Sequence, residues 1–198
     1  MTTAQDLHAG LERWAAALRA AAAELNELDA RLGDGDLGTT LEKCASNVLE
    51  ALPSTPREFT SLLKACATAC AKASGSSFGT LLAIAFLTAA KNVPETGGLE
   101  SSDVARLLRR VVHALSARGG ASLGDKTMLD SIDAIATALE AAAGMTDLRG
   151  ASVGAAKRAL EDFRSRPNRI GRARMFAEKS IGMDDPGMVA VLRMVQSL

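Results

Sequence analysis

Ala20-Ala21-Ala22-Ala23-Glu24-Leu25-Asn26-Glu27-Leu28-Asp29-Ala30-Arg31-Leu32-Gly33-Asp34-Gly35-Asp36-Leu37-Gly38-Thr39-Thr40 joins the end of an alanine-rich run to a loop of glycines and acids. Alanine has the strongest intrinsic preference for the helix, so the first half predicts a helix that packs closely on its neighbours. The second half places three carboxylates, Asp29, Asp34 and Asp36, within eight residues. Hard divalent cations take oxygen ligands, and Mg²⁺ in particular is held by a few carboxylates together with substrate phosphates. Glycines let the backbone turn sharply and approach a ligand closely. Asp-Gly pairs also form ordinary solvated turns. What favours a metal site is Asp29, one helical turn upstream and able to point back at the loop.

The rest of the composition agrees with helices. Of 198 residues, 47% are hydrophobic, mostly alanine and leucine, while aromatics are 3% and tyrosine is absent; sheets favour β-branched and aromatic residues. The length fits one domain, over residues 1–198, with a substantial core. Lys+Arg and Asp+Glu both number 23, which argues against nucleic acid as the main partner. Cys44, Cys66 and Cys70 are odd in number and fall inside predicted helices, so they read as small buried hydrophobes rather than disulfides or metal ligands. The N-terminus, with Asp6, His8, Glu12 and Arg13, lacks a signal-peptide pattern. The apolar run 81–90 stops at Lys91, too short to span a bilayer. A soluble, cytoplasmic protein is expected.

Eight helical segments follow, near residues 3–28, 39–52, 57–74, 77–91, 102–118, 125–144, 147–166 and 187–198. Pro53 stops the second. Ser101 or Ser102 is the expected N-cap of the fifth, with Asp103 favourable in its first turn, and Thr146 the cap of the seventh. Short links argue for an antiparallel up-and-down bundle. Alternate links then share one end, which gathers residues 33–40, 74–79, 119–125 and the stretch 168–186, an irregular segment long enough to suggest function.

Ser74-Gly75-Ser76-Ser77-Phe78-Gly79 is a hydroxyl-rich turn that opens a helix, suited either to phosphate or to a plain connection. Neither a Gly-x4-Gly-Lys-Ser/Thr element nor a protein-kinase motif is present. Arg172 and Arg174 read as contacts to phosphate or nucleobase or as solvated surface, Asp125 as a helix start, Lys126 as solvated, and Met128 as core or a face for a purine. His8 and His113 read as structural or exposed.

Taken together, these blocks resemble the nucleotide-binding L subunit of dihydroxyacetone kinase, the DhaL or DAK2-domain family. The resemblance spans nearly the whole chain. It rests on Leu28-Asp29-Ala30 with Gly33-Asp34-Gly35-Asp36-x-Gly38, on Ser74-Gly75 with Phe78-Gly79, and on Gly124-Asp125-Lys126-Thr127-Met128-Leu129-Asp130. Gly171-Arg172-Ala173, Ser180-Ile181-Gly182 and Asp185-Pro186-Gly187 complete it. It implies an all-α, eight-helix antiparallel barrel that binds ADP or ATP at one end through two Mg²⁺ ions. By resemblance Asp29, Asp34 and Asp36 are the metal ligands and catalytic carboxylates. Gly38, Thr39, Thr40, Ala73 and Ser74 lie at the phosphates, Gly119, Met128, Arg172, Asp185, Pro186 and Gly187 frame the rest of the nucleotide, and Leu37 counts among the cofactor-binding positions.

The resemblance also implies that the acceptor, dihydroxyacetone or a related short sugar, is held by a separate K-type subunit. Leu37 stands where subunits driven by the phosphoenolpyruvate phosphotransferase system usually carry histidine, which points to ATP as donor. The segment Ser180-Ile181-Gly182 instead resembles the free-standing subunits, which take phosphate from a phosphohistidine protein and keep ADP as a permanent cofactor. Ser76-Ser77 replaces the commoner proline-containing pair. The rival readings are an ATP domain like that of the fatty-acid kinases and a nonenzymatic nucleotide-binding regulator.

Overall fold

The computed structural model describes residues 1–73, 77–94, 98–142 and 147–198. Within them the chain forms nine α-helices: α1 Ala4–Ala20, α2 Ala22–Leu32, α3 Leu37–Ala51, α4 Phe59–Lys72, α5 Ser77–Asn92, α6 Ser101–Gly119, α7 Met128–Ala141, α8 Leu148–Arg164 and α9 Pro186–Gln196. Two 3₁₀ segments, Leu52–Ser54 and Arg172–Ser180, are added. From α3 onward each helix packs against the next, and α9 returns onto α1 and α2, closing an all-helical barrel. An ion pair between Arg193 of α9 and Glu24 of α2, at 2.5 Å, lies across that closing seam.

Small side chains let the helices approach. Ala15, Ala45, Ala105, Ala136, Ala156 and Ala190, one from each of six helices, are fully buried. Trp14 meets Phe86 edge to face, with ring centroids 5.7 Å apart, a favourable aromatic geometry. Cys44, Cys66 and Cys70 are buried free thiols on α3 and α4, and burial pushes the Cys66 thiol up to about 12. They are packing residues, as expected.

The single first helix expected over residues 3–28 is instead bent at Ala21 and runs on to Leu32. The Ala21 N–H still reaches Ala17 O and the Leu25 N–H reaches Ala21 O, at 2.9 and 3.0 Å. The break lies where the start of α3 presses on the run: a Cβ on Gly38 would sit 1.8 Å from the Ala22 carbonyl oxygen. Other boundaries shift by a few residues for reasons of capping. Glu100, not Ser101 or Ser102, caps α6 in a reciprocal box with Asp103. The Asp147 side chain caps α8, while Thr146 lies outside the described residues. Asp125 closes a turn by accepting the Ser122 N–H at 2.8 Å, so α7 starts later, behind its cap Thr127.

Alternate links do share an end. Thr2 and Leu99 exchange backbone hydrogen bonds of 2.8 Å, tying the N-terminus to the link before α6. The links after α2, α6 and α8, together with the start of α5, meet elsewhere: Arg172 pairs with Asp34, the Arg169 N–H reaches Asp125 O, and Gly79 lies against Thr40. Among the described residues no helix is long and apolar enough to cross a membrane.

Candidate functional site

The loop between α2 and α3 is shaped by its glycines. Gly35 has φ +74°, a left-handed conformation that other residues adopt at a cost. A Cβ on Gly33 would lie 2.6 Å from Asp29 Oδ1, so glycine there lets the Asp29 side chain fold back over the end of α2.

Asp36 is the N-cap of α3, yet its side chain makes no capping bond. That task falls to α2. Asp29 Oδ2 accepts the N–H groups of Asp36 at 3.0 Å and Leu37 at 3.4 Å. Asn26 Oδ1 accepts the Thr39 N–H, and its Nδ2 donates to Thr39 Oγ1, both at 3.0 Å. Borrowed caps leave the Asp36 carboxylate uncommitted. One oxygen each from Asp29, Asp34 and Asp36 then lies within 4.8 Å of the others. Asp29 is half-buried and the other two are exposed. Arg172, from the 3₁₀ segment, pairs with Asp34.

These residues fit a divalent cation. An octahedral Mg²⁺ with bonds of about 2.1 Å spreads its oxygens over roughly 3 to 4 Å, close to the 4.8 Å within which these carboxylate oxygens lie. Without a cation, three like charges share this corner with one arginine. Such a conflict between local energetics and the fold is characteristic of functional positions.

The remaining expected site residues divide into two groups. Thr40 is buried with its methyl beside Gly79, whose hypothetical Cβ would be 3.5 Å from Thr40 Cγ2 and 3.4 Å from the Ala73 carbonyl. The start of α5 therefore rests on the first turn of α3. Gly187 is close to Phe78, Met128 and Asp185, with its hypothetical Cβ 3.3, 3.8 and 3.1 Å from them. Thr39 is exposed, Gly38 is buried, and Gly119 ends α6 at an exposed position. Ser74 lies outside the described residues. Leu37 differs from the expectation: its side chain is buried in the core, so only its backbone faces the loop. Met128 is core as well, at 4% exposure.

Lys126 corrects the reading as a solvated residue. It is 1% exposed, and its Nζ donates to the carbonyls of Arg164, Arg166 and Ser180 at 3.4, 2.8 and 2.9 Å. Its backbone carbonyl accepts Asn168 Nδ2 at 2.9 Å, and the same amide nitrogen donates to Asp185 Oδ2 at 2.8 Å. Asp185 Oδ1 accepts the Met188 N–H at 2.9 Å and so caps α9. Burial drives the Asp185 carboxyl up to about 6, against those hydrogen bonds and the nearby Lys126.

Nothing local in the sequence marks Lys126 or Asn168 as a buried polar group. Asn26, one turn before Asp29, and Asp130, three residues after Thr127, carried readable signals. Thr127-x-x-Asp130 has capping-box spacing, and both halves of the box form.

A titration follows for Asp185. A carboxyl raised from 3.8 to about 6 in the folded protein contributes stability in full below the unfolded value and loses it as pH rises through the folded one. Urea unfolding from pH 4 to 7.5 is expected to show this loss in the wild type and not in Asp185→Asn, which keeps a good N-cap. Parallel pH curves for the two proteins would contradict the assignment.

Comparison with known proteins agrees with the fold. The DAK2 domain family matches residues 31–198. D-erythrulose kinase of Mycolicibacterium smegmatis is 36% identical over 187 residues, which are 89% of this chain and 32% of that protein. The PTS-dependent dihydroxyacetone kinase ADP-binding subunit DhaL of Lactococcus lactis is 31% identical over 166 residues, covering 83% of this chain and 80% of the subunit. The crystal structure of the dihydroxyacetone kinase from C. freundii in complex with AMP-PNP and Mg²⁺ superposes with a TM-score of 0.76 at 26% identity, over 96% of this chain and 32% of that one. The chain thus spans about a third of the length of the erythrulose kinases it matches. The match over most of the chain, with the barrel and its acidic loop, places this protein in the DAK2-domain family.

Proposed function

We propose that this chain holds a magnesium nucleotide at the loop end of the barrel and presents its terminal phosphoryl group to dihydroxyacetone or a related short sugar carried by a K-type partner. The observation that carries the reading is the carboxylate trio on an α3 N-terminus whose capping is supplied from α2. Asp29, Asp34 and Asp36 would hold the metal, as two ions if the family pattern applies throughout. Bound Mg²⁺ supplies neutralisation and bridging of phosphate oxygens, most of what phosphoryl transfer asks of a site.

The chain's own groups do the positioning. The positive end of the α3 dipole favours an anion, and the Thr39 hydroxyl, which accepts from Asn26, keeps its proton for donation. Because Asp29 and Asn26 already occupy the amides of Asp36, Leu37 and Thr39, hydroxyls and metal carry more of the phosphate than backbone N–H groups do. Arg172 lies close enough to Asp34 to exchange that carboxylate for a phosphate oxygen. Leu123, Met175, Ile181 and Met183 are exposed on the loops of this end, beside the exposed Arg169, Arg174 and Lys179. That mixed surface suits a docking partner which excludes water and brings the acceptor into line.

The donor has two readings. Leu37 fills the core and offers no titratable group, which favours ATP exchanging at each turnover. The ADP-binding subunits among the relatives favour bound ADP recharged by a phosphohistidine protein. An assay with Mg²⁺, a K-type subunit, dihydroxyacetone and erythrulose separates them: ATP alone is expected to sustain turnover, with labelled ADP exchanging rapidly. Turnover only with phosphotransfer proteins, and ADP retained throughout, would establish the second reading.

A further inference from the structure

We infer that Lys126 is a positioning residue for the nucleotide end, acting through the segment 165–182 rather than by touching nucleotide; this rests on the function proposed above. The carbonyls of Arg164 and Arg166 belong to the C-terminal end of α8, where backbone acceptors lack partners within the helix and the dipole is negative. A buried ammonium with three donors matches them and reaches Ser180 across the loop as well. All three donors are used. The backbone is committed to this placement too, since Lys126 has φ +63°, a conformation uncommon outside glycine.

The surrounding bonds converge on the same point. The Asn168 N–H donates to Ser180 Oγ at 2.8 Å, the Arg169 N–H to Asp125 O at 3.2 Å and the Gly182 N–H to Arg164 O at 2.8 Å. The Asn168 side chain links Lys126 O to Asp185. From the α6–α7 link the Lys126 side chain therefore joins the end of α8 to both ends of the segment carrying Arg172, and the Asn168 side chain extends the network to Asp185 at the start of α9. Burial pulls the Lys126 ammonium below its ordinary value, with Asp185 and Asp184 opposing that shift. Arg172 and the Asp185-Pro186-Gly187 turn take their places only if this knot is tied.

The test compares Lys126→Met with Leu139→Ala, a truncation of a buried core side chain in the following helix, α7. Amide hydrogen exchange on the nucleotide-free chain reads the segment, and calorimetry with Mg-ADP reads the site. For Lys126→Met, protection at Asn168, Arg169 and Gly182 is expected to fall at least tenfold more than in α3 and α4, with Mg-ADP affinity falling at least tenfold. Leu139→Ala should lower the melting temperature without that local pattern and keep its affinity. If Lys126→Met does not fold, Lys126→Gln carries the same expectation.

Unchanged protection at those three amides, whatever the affinity, would overturn the inference, as would lost protection with full affinity. Should the wild type fail to bind Mg-ADP, the functional reading fails. The exchange arm still decides whether Lys126 orders the segment.

Discussion

Asp36→Asn is expected to weaken Mg-ADP binding by about a hundredfold or more while leaving the nucleotide-free protein as stable as the wild type. The amide removes one negative charge and one strong oxygen ligand. Replacing even the outer-shell partners of metal ligands commonly costs about 10- to 100-fold in affinity. Stability holds because the Asp36 side chain caps nothing: Asp29 and Asn26 do the capping, and loss of one charge from a crowded trio relieves repulsion. Asp29→Asn should behave differently, losing affinity and stability together, since that carboxylate also accepts two α3 amides. Calorimetry paired with thermal melting separates the two variants. Equal affinity in Asp36→Asn and wild type would remove the trio from the metal site.

Gly38→Ala is expected to be the most damaging single-methyl change in the loop, costing about 3 kcal/mol or more, at the upper end of the usual range for overpacking. At an open helical position the same change gains about 1 kcal/mol. Here the added Cβ would lie 1.8 Å from Ala22 O, 2.7 Å from Ala22 C and 2.8 Å from Asn26 Oδ1. Two of those atoms are backbone, so α3 must move away from α2, taking Asp36 with it. Gly10→Ala is the control, because its Cβ would meet only Arg13 Nη2 and a Leu198 methyl at 3.8 Å. Urea unfolding should place Gly10→Ala at or above wild type and Gly38→Ala far below. Matching midpoints for all three would show that α3 does not rest on the bend at Ala21.

The same contact explains why the bend was not legible in the sequence. An alanine-rich run gives no local reason to stop at Ala21. What meets the run there is Gly38, a residue of the following helix. The helices themselves and the shared end of alternate links were legible, because helix preference, proline stops and link order are local properties of the chain. The trio was legible for the same reason: Asp29 is one helical turn from a short loop. Lys126 was not. A lysine beside an aspartate at a helix start looks solvated until the C-terminal end of α8, some 40 residues later, supplies the carbonyls that bury it. Leu37 shows the converse. Its position in the motif is local, whereas its burial depends on the barrel that forms around it.

The most direct measurement of the central claim is ADP binding to the wild-type chain, titrated once with Mg²⁺ in excess and once with the metal chelated. Binding is expected with Mg²⁺ and at least a hundredfold loss without it, since the trio repels bare phosphate and attracts it only through the ion. Saturation with Mg-ADP to a hundredfold above the dissociation constant should also raise stability by about 2.7 kcal/mol. ADP affinity that is the same with and without metal, or no binding in either case, would contradict the account.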